Sequence, residues 1–320
     1  MKLSIIIPHY KELEMMISHL LTSLNEQVFV DFNDIEVIII NDGPESIELT
    51  SRFLDKFDNL NIIQKSNAFN AGVALTRNRG LLTSKGEYVM FCDSDDMFIR
   101  LDALYRMLQY ADGKTQLIAA QWCYRDYWNE NRSKVYLKSE YDATNIHCKM
   151  FLREFLTYYD LQFPDLRCHE DSYFMGCAFD LADVAKFISE PYYLYGDNED
   201  SLTRQNKSAF MNSTWWMFHI SVRMMLDKIN KYHPEKIPWK VMQYSIYSYF
   251  EFNNPKKLVF SEEIKKAHDL FVDNIRTYEE QLLENTVDEV EKVYKETESW
   301  FGFVDLKESY RDFIKRILYE

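Results

Sequence analysis

The chain predicts an α/β protein, a mixed and mostly parallel sheet flanked by helices, followed by a helical region. Three observations carry that reading. Over the first 125 residues, short β-branched runs alternate with stretches of helical spacing, the pattern of βαβ units. One run, Val37-Ile38-Ile39-Ile40, is continuously apolar, as in a strand covered on both faces. From about residue 208, glycine is nearly absent and apolar residues recur every three or four positions, as at Phe271, Ile275, Tyr278 and Leu282. That spacing lines one face of a helix.

The elements follow in order. The segment from Met1 to Pro8 is too short an apolar run for a leader peptide and reads as the first strand, at 3–7. Further strands are expected at 35–40, 60–64, 87–92 and 116–122, with helices at 12–24, 46–57, 70–84 and 101–111. Asn41-Asp42-Gly43-Pro44 ends the second strand with strong turn chemistry. The polar, aromatic stretch 126–142 suggests a hairpin or an added strand. A helix is expected at 145–159, where Lys149 and Arg153, four apart, would share a solvated face. A loop then carries His169-Glu170-Asp171, and short elements run to Tyr192-Tyr193-Leu194-Tyr195. Two regions are expected: 1–207 as the ligand-binding and catalytic domain, and 208–320 as a helical region for acceptor support or oligomerisation.

Bulk properties narrow the function. At 320 residues, 47% hydrophobic and 28% charged, the chain can bury a large core. Eight glycines and seven prolines leave little room for long disordered linkers. A net charge of −14 disfavours a large nucleic-acid footprint, which needs a basic surface. Five cysteines with no CxxC spacing speak against a zinc site or a disulfide framework, and point to a reducing, cytoplasmic setting. No stretch has 18 consecutive apolar residues, so no membrane-spanning helix is expected.

The chemistry gathers at strand ends. Glu87-Tyr88-Val89-Met90-Phe91-Cys92 runs into Asp93-Ser94-Asp95-Asp96. Carboxylates at the end of a buried strand call for a cation. On an extended backbone Asp93 and Asp95 share a face, and hard oxygen ligands suit Mg²⁺ or Mn²⁺ carrying a nucleotide phosphate. The competing reading is an acidic turn that caps a helix. Three more polar clusters fall after strands or at a helix start: Pro8-His9-Tyr10, Asn41-Asp42-Gly43, and Asn70 to Gly80 with Arg77 inside it. Open α/β sheets bind ligands at that edge. Asp42 suits a pyrimidine N–H or a ribose hydroxyl. Arg77 offers a fork of donors to a base carbonyl or a phosphate. Each is ordinary alone, as a turn former or a solvated helix face; the joint arrangement is not.

With these residues in view, the chain resembles a family 2 glycosyltransferase of the GT-A fold. The resemblance rests on Ser4 to Tyr10, Ile40 to Gly43, Thr76 to Gly80, Gly86 to Asp96 and His169 to Phe174, and covers about residues 1–205. It implies that Asp42 binds the uracil and that Pro8 and Tyr10 lie by the base and ribose. It implies that Asp93 and Asp95 hold ribose and metal and that Asp171 is the catalytic base. Asp96, Glu170 and His169 are supporting or acceptor-side candidates. Departures are Asn41 in place of a second acidic residue, Pro44 in place of a serine, and Thr76 before Arg77-Asn78. Arg204 falls where the family has a loop closing over the diphosphate, and Gly196 to Asn206 reads as a lid. Trp122, Trp215 and Trp216 are expected mainly as core, with sugar stacking as the alternative.

The reaction implied is inverting transfer of a sugar, most simply from a UDP-sugar, to a hydroxyl of a glycan, a polymer or a lipid-linked intermediate. It would be aided by Mn²⁺ or Mg²⁺ and an Asp base. A nucleic-acid or protein acceptor stays open, as does a homo-oligomer formed through the C-terminal helices. Two rival readings are weaker. A nucleotidyltransferase would carry a Gly-rich basic loop after the first strand, where this chain has His9-Tyr10-Lys11-Glu12. A non-catalytic nucleotide-sugar binding module would have no use for both Asp95 and Asp171.

Overall fold

A computed structural model describes residues 1–46, 48–125, 135–137, 145–196, 207–253, 261–301, 306 and 308–319. The chain forms two compact units, Met1–Glu199 and Asp200–Glu320. In chain order the first unit contains β1 (Leu3–His9), α1 (Glu14–Asn25), β2 (Ile35–Asn41), α2 (Ser51–Leu54), β3 (Asn61–Ser66), α3 (Gly72–Thr83) and β4 (Tyr88–Phe91). It continues through β5 (Met97–Phe98), α4 (Ala103–Leu108), β6 (Leu117–Arg125), β7 (Val135–Leu137), β8 (Lys149–Leu152), α5 (Arg153–Tyr158), α6 (Glu170–Leu181) and β9 (Ala185–Tyr195).

One sheet joins the strands in the order β3-β2-β1-β4-β8-β6-β9-β5, with β7 on β6. The first four are parallel, as the alternating sequence implies. Beyond β4 the sheet is mixed: β8 runs antiparallel to both β4 and β6, while β9 returns parallel to β6. β2 is buried at every position, matching its continuous apolar run. The carboxyl ends of β1 and β2 stand side by side, His9 opposite Asn41. The His9 Nδ1 to Asn41 Oδ1 distance is 3.1 Å. Helix α3 packs close on β1, since a Cβ at Gly80 would collide with the Ile6 side chain.

Asp42 explains how α3 starts. The N-cap residue Ala71 has no side-chain cap, yet helix N-termini leave backbone donors that need partners. The Asp42 carboxylate supplies them: Oδ1 accepts from Ala71 N (2.8 Å) and Oδ2 from Gly72 N (2.9 Å). Asp42→Ala is therefore expected to lower stability by about 1–2 kcal/mol, the usual cost of a lost cap. A shifted urea midpoint at an unchanged slope would register it.

Two expected helices differ from what forms. The helix at 46–57 shrinks to α2, because the backbone is still extended at Thr50 (φ −71, ψ 148) and turns helical only after it. Thr50 then caps the short helix by accepting from Phe53 N at 3.2 Å. The helix at 145–159 is split. Cys148 has φ 55, a left-handed position that no helix runs through. The four residues after it are all buried and pair with β4 and β6 as β8. Lys149 and Arg153 therefore share no helix face. Lys149 is a buried strand residue whose Nζ donates to Asn145 O (2.6 Å) and His147 O (3.2 Å). Arg153 opens α5 and donates from Nε to Gly86 O at 2.7 Å.

Of the expected hairpin at 126–142, only Val135–Leu137 lies among the described residues, antiparallel to Cys123–Arg125. Trp122 is buried between His147 and Tyr195 and is core.

Phe91, Phe151, Phe163 and Phe174 pack together beneath the end of β4, with Phe163 and Phe174 stacked at 4.2 Å. This cluster ties β4 and β8 to α6.

The second unit is helical: α7 (Lys207–Tyr232), α8 (Ile237–Phe252), α9 (Glu262–Thr277), α10 (Glu279–Leu283), α11 (Val287–Phe301) and α12 (Tyr310–Tyr319). Its core includes Phe271, Ile275, Tyr278 and Leu282, the residues whose spacing predicted it. Trp215 packs on His219 and Phe252, and Trp216 lies under Lys266. Among the described residues, no helix is long and apolar enough to cross a membrane.

Candidate active site

Just past β4 the chain does not stay extended. Asp96 N donates to Asp93 O at 3.2 Å, closing a turn over Ser94 and Asp95. The shared face expected for Asp93 and Asp95 rests on an extended backbone; the chain turns here instead, with Asp93 still near enough to raise the Asp95 pKa. Asp93, Asp96 and His147 instead place ligand atoms within 4.8 Å of one another, close enough to surround a metal ion.

Each carboxylate has a distinct environment. Asp93 Oδ1 accepts from Arg77 Nη2 at 2.8 Å. Burial would raise the Asp93 pKa, but Arg77 and His147 together hold it below the usual value. Asp96 is fully buried. Its Oδ1 accepts from Gly196 N at 2.6 Å, and its Oδ2 lies 3.3 Å from His147 Nδ1 without hydrogen-bond alignment. Burial lifts the Asp96 pKa, and Asp96 in turn raises that of His147 against the effect of burial. Gly196 is needed here, because a Cβ on it would collide with the Asp95 carbonyl.

Asp95 is half-buried and its carboxylate meets no cation among the described residues. Burial, then the negative charges of Asp96 and Asp93, push it up to about 7. A carboxyl whose proton affinity is raised by burial and by neighbouring negative charge is one that a bound cation would relieve, so the donor set fits a divalent metal.

The sign of the pH effect follows. Between its ordinary 3.8 and about 7, the folded Asp95 keeps a proton that the unfolded chain releases. By linkage, this group's contribution to stability falls as pH rises through that window. Metal-free Asp95→Asn is expected to melt above the wild type at the top of the window, with the gap closing toward its lower end. Melting curves in chelator across the window check this.

The Glu170-Asp171 pair opens a helix rather than sitting in a loop. His169 occupies the N-cap at φ 66, and Glu170 and Asp171 form the first turn of α6. The positive end of the helix favours carboxylates there. Glu170 Oε1 accepts from Arg77 Nη1 at 3.0 Å. Burial, reinforced by Asp171, raises the Glu170 pKa despite Arg77. Asp171 is half-buried, accepts from Ser172 N at 2.7 Å, and is raised by burial while Arg77 pulls it back. Burial lowers His169 to about 4, so it is neutral at physiological pH.

Arg77, expected at the donor, is buried, with one Nη on the donor-side Asp93 and the other on Glu170. A desolvated guanidinium needs anions beside it, and these are the nearest.

Asp42 accepts from three N–H groups, those of Ala71, Gly72 and Asn67. A carboxylate has about four acceptor positions, which leaves room for one more donor. Pro8 is the penultimate residue of β1, opposite Ile40. Tyr10 follows the strand, its hydroxyl donating to Glu45 Oε2 at 3.1 Å. Arg204 and the expected lid, apart from Gly196, lie outside the described residues.

His147 is not among the residues that the sequence singles out, and Gly196, expected as the start of a lid, is found holding Asp96 through its backbone N–H. His147 was hidden inside an expected helix.

The sequence pattern of Glycosyl transferase family 2 matches residues 4–169. The uncharacterized glycosyltransferase YibD of Escherichia coli K12 is 22% identical over 258 residues, covering 74% of this chain and 73% of its own. Staphylococcus aureus TarS 1–349 in complex with UDP-GlcNAc matches with a TM-score of 0.70 at 21% identity, over 94% of this chain and 91% of that one. The longer TarS chain is spanned to 55%. The mannosyltransferase PcManGT of Pyrobaculum calidifontis, in complex with GDP-Man and Mn²⁺, matches at 0.55 and 15% identity, over 99% of this chain and 84% of that one. These structural likenesses show a GT-A type fold.

Proposed function

The chain belongs to glycosyl transferase family 2, and on that premise we propose that it moves a sugar from a UDP-sugar to an acceptor hydroxyl with inversion, Asp171 acting as base. The observation that carries this reading is the convergence of two carboxylate groups from distant parts of the chain. Asp93 at the end of β4 and Glu170, the neighbour of Asp171 at the start of α6, meet at one buried arginine. One group suits the donor side and the other the acceptor side.

On the donor side, the remaining acceptor position of Asp42 faces the uracil N–H, with Pro8 and Tyr10 beside base and ribose. Asp93 turns toward the ribose. A divalent ion, Mn²⁺ or Mg²⁺, would be held by Asp95 with the free oxygen of Asp93, and would supply Lewis-acid stabilisation of the leaving diphosphate. Arg204 is the candidate for a second diphosphate contact. On the acceptor side, Asp171 takes the hydroxyl proton as the oxygen attacks the anomeric carbon from the face opposite the diphosphate. Attack from that face inverts the centre.

A relative, TarS, is named a poly(ribitol-phosphate) β-N-acetylglucosaminyltransferase. That makes a polymer or glycan hydroxyl the first acceptor to try. The test is a panel of sugar nucleotides with Mn²⁺ or Mg²⁺, read by calorimetric binding and by slow donor hydrolysis with water as acceptor. UDP-sugars are expected to bind and hydrolyse. Binding of none would end the proposal.

A further inference from the structure

We propose that Arg77 is a positioning residue: its buried guanidinium fixes the donor-side carboxylate Asp93 against the base-bearing start of α6, through Glu170. The inference rests on the roles given above to Asp93 and Asp171.

The geometry is that of a strut. Arg77 lies 16 residues from Asp93 and 93 from Glu170 in sequence, and binds each through a different Nη, at 2.8 and 3.0 Å. Its side chain is 5% exposed, so solvent does not share the load. A rigid planar fork can hold two carboxylates in a set relation, which a lysine's single ammonium cannot. The guanidinium also lies 5.4 Å from the centre of the Phe163 ring. That ring stacks on Phe174 of α6. The next residue on α3, Asn78, grips the same segment twice: its Nδ2 donates to Phe163 O (2.8 Å) and its Oδ1 accepts from Phe163 N (2.9 Å). Two successive residues of α3 thus anchor both the approach to α6 and its first turn.

Charge requires the same arrangement. Asp93, Glu170 and Asp171 would repel one another across a partly dry site. Arg77 is the cation common to all three. Removing it leaves buried like charges unpaired, and the two halves of the site would drift apart. Small misplacements of reacting groups are costly to rate, and neither Nη contact of Arg77 is to the donor itself.

The experiment compares Arg77→Lys and Glu170→Gln with the wild type, using UDP-GlcNAc with Mn²⁺ as the probe. Donor Kd is read by calorimetry, kcat and KM by UDP release, and folding by melting curves. For both variants kcat is expected to fall roughly 10²-fold, the scale of a small misalignment, with donor Kd and KM held within about threefold. Arg77→Lys keeps the charge, so a loss there reports the fork rather than the cation. If donor Kd weakens in step with kcat, Arg77 is a donor ligand and the proposal is overturned. Wild-type kcat in either variant overturns it too. Glu170→Gln breaks one arm while leaving the arginine in place, and so keeps the test decisive if Arg77→Lys folds poorly. Absence of donor binding by the wild-type protein is a separate result, which removes the transferase reading itself.

Discussion

Asp171→Asn is expected to lower turnover by roughly 10²–10⁴-fold, the contribution of a positioned general base, while leaving donor affinity intact. The amide keeps the size of the side chain and its contact with Ser172 N, so the first turn of α6 is undisturbed. What it removes is the ability to accept the acceptor's proton. The donor contacts proposed above, at Asp42, Asp93 and Asp95, are not touched by the variant. Calorimetry with a UDP-sugar should therefore match the wild type while UDP release collapses. The wild-type pH profile carries the same information. Burial raises the Asp171 pKa and Arg77 limits the rise. Activity needs the ionised form, so the rate should fall on acidification at a higher pH than an ordinary carboxylate would give. A variant that binds donor and still turns over at the wild-type rate rules Asp171 out as the base.

Much of the donor half was legible because its signals are local. A parallel strand buried on both faces must be an unbroken apolar run, so Ile35–Asn41 could be read directly. Residues that follow such strands fall at the ligand edge whatever the packing beyond. The features that were not legible depend on contacts distant in sequence. Nothing near Arg77 reveals that Glu170, 93 residues away, will take one of its nitrogens. The alternation that put Asp93 and Asp95 on one face was sound for a strand, but the Asp96 to Asp93 backbone bond turns the chain first. His147 was lost with the expected helix at 145–159. Apolar spacing there suited a helix, and the left-handed Cys148 together with pairing to β4 and β6 overrode it. His169-Glu170-Asp171 reads from its residue types as a polar loop or a polar helix start; the helix start forms, with a left-handed His169, not Asp171, at the N-cap.

Asp95→Ala is expected to abolish the metal dependence of donor hydrolysis and to lower its rate by roughly 10²–10³-fold, the usual scale for losing one electrostatic support of a leaving group. Two sets of ligands compete for the ion. The tighter one is Asp93, Asp96 and His147. Asp93 belongs to both sets, so the difference lies with the other two members, which hold each other: Asp96 accepts from Gly196 N and lies against His147. Asp96 is also wholly buried, and an ion that must touch a diphosphate needs an open side. Asp95 is only half-buried, meets no cation among the described residues, and has a proton affinity raised by burial and by the charge around it. A nitrogen ligand would further favour Mn²⁺ over Mg²⁺, whereas oxygen ligands alone accept either. The two sets therefore predict different results in a titration of hydrolysis with Mn²⁺ and Mg²⁺. With Asp95 as ligand, Asp95→Ala loses the response to both ions, and His147→Gln keeps a response to both at a lower melting temperature. With the buried trio as ligands, His147→Gln loses the response and Asp95→Ala retains it. In that case Asp95 would be left as a half-buried acid that no cation among the described residues balances, an arrangement that folded proteins avoid.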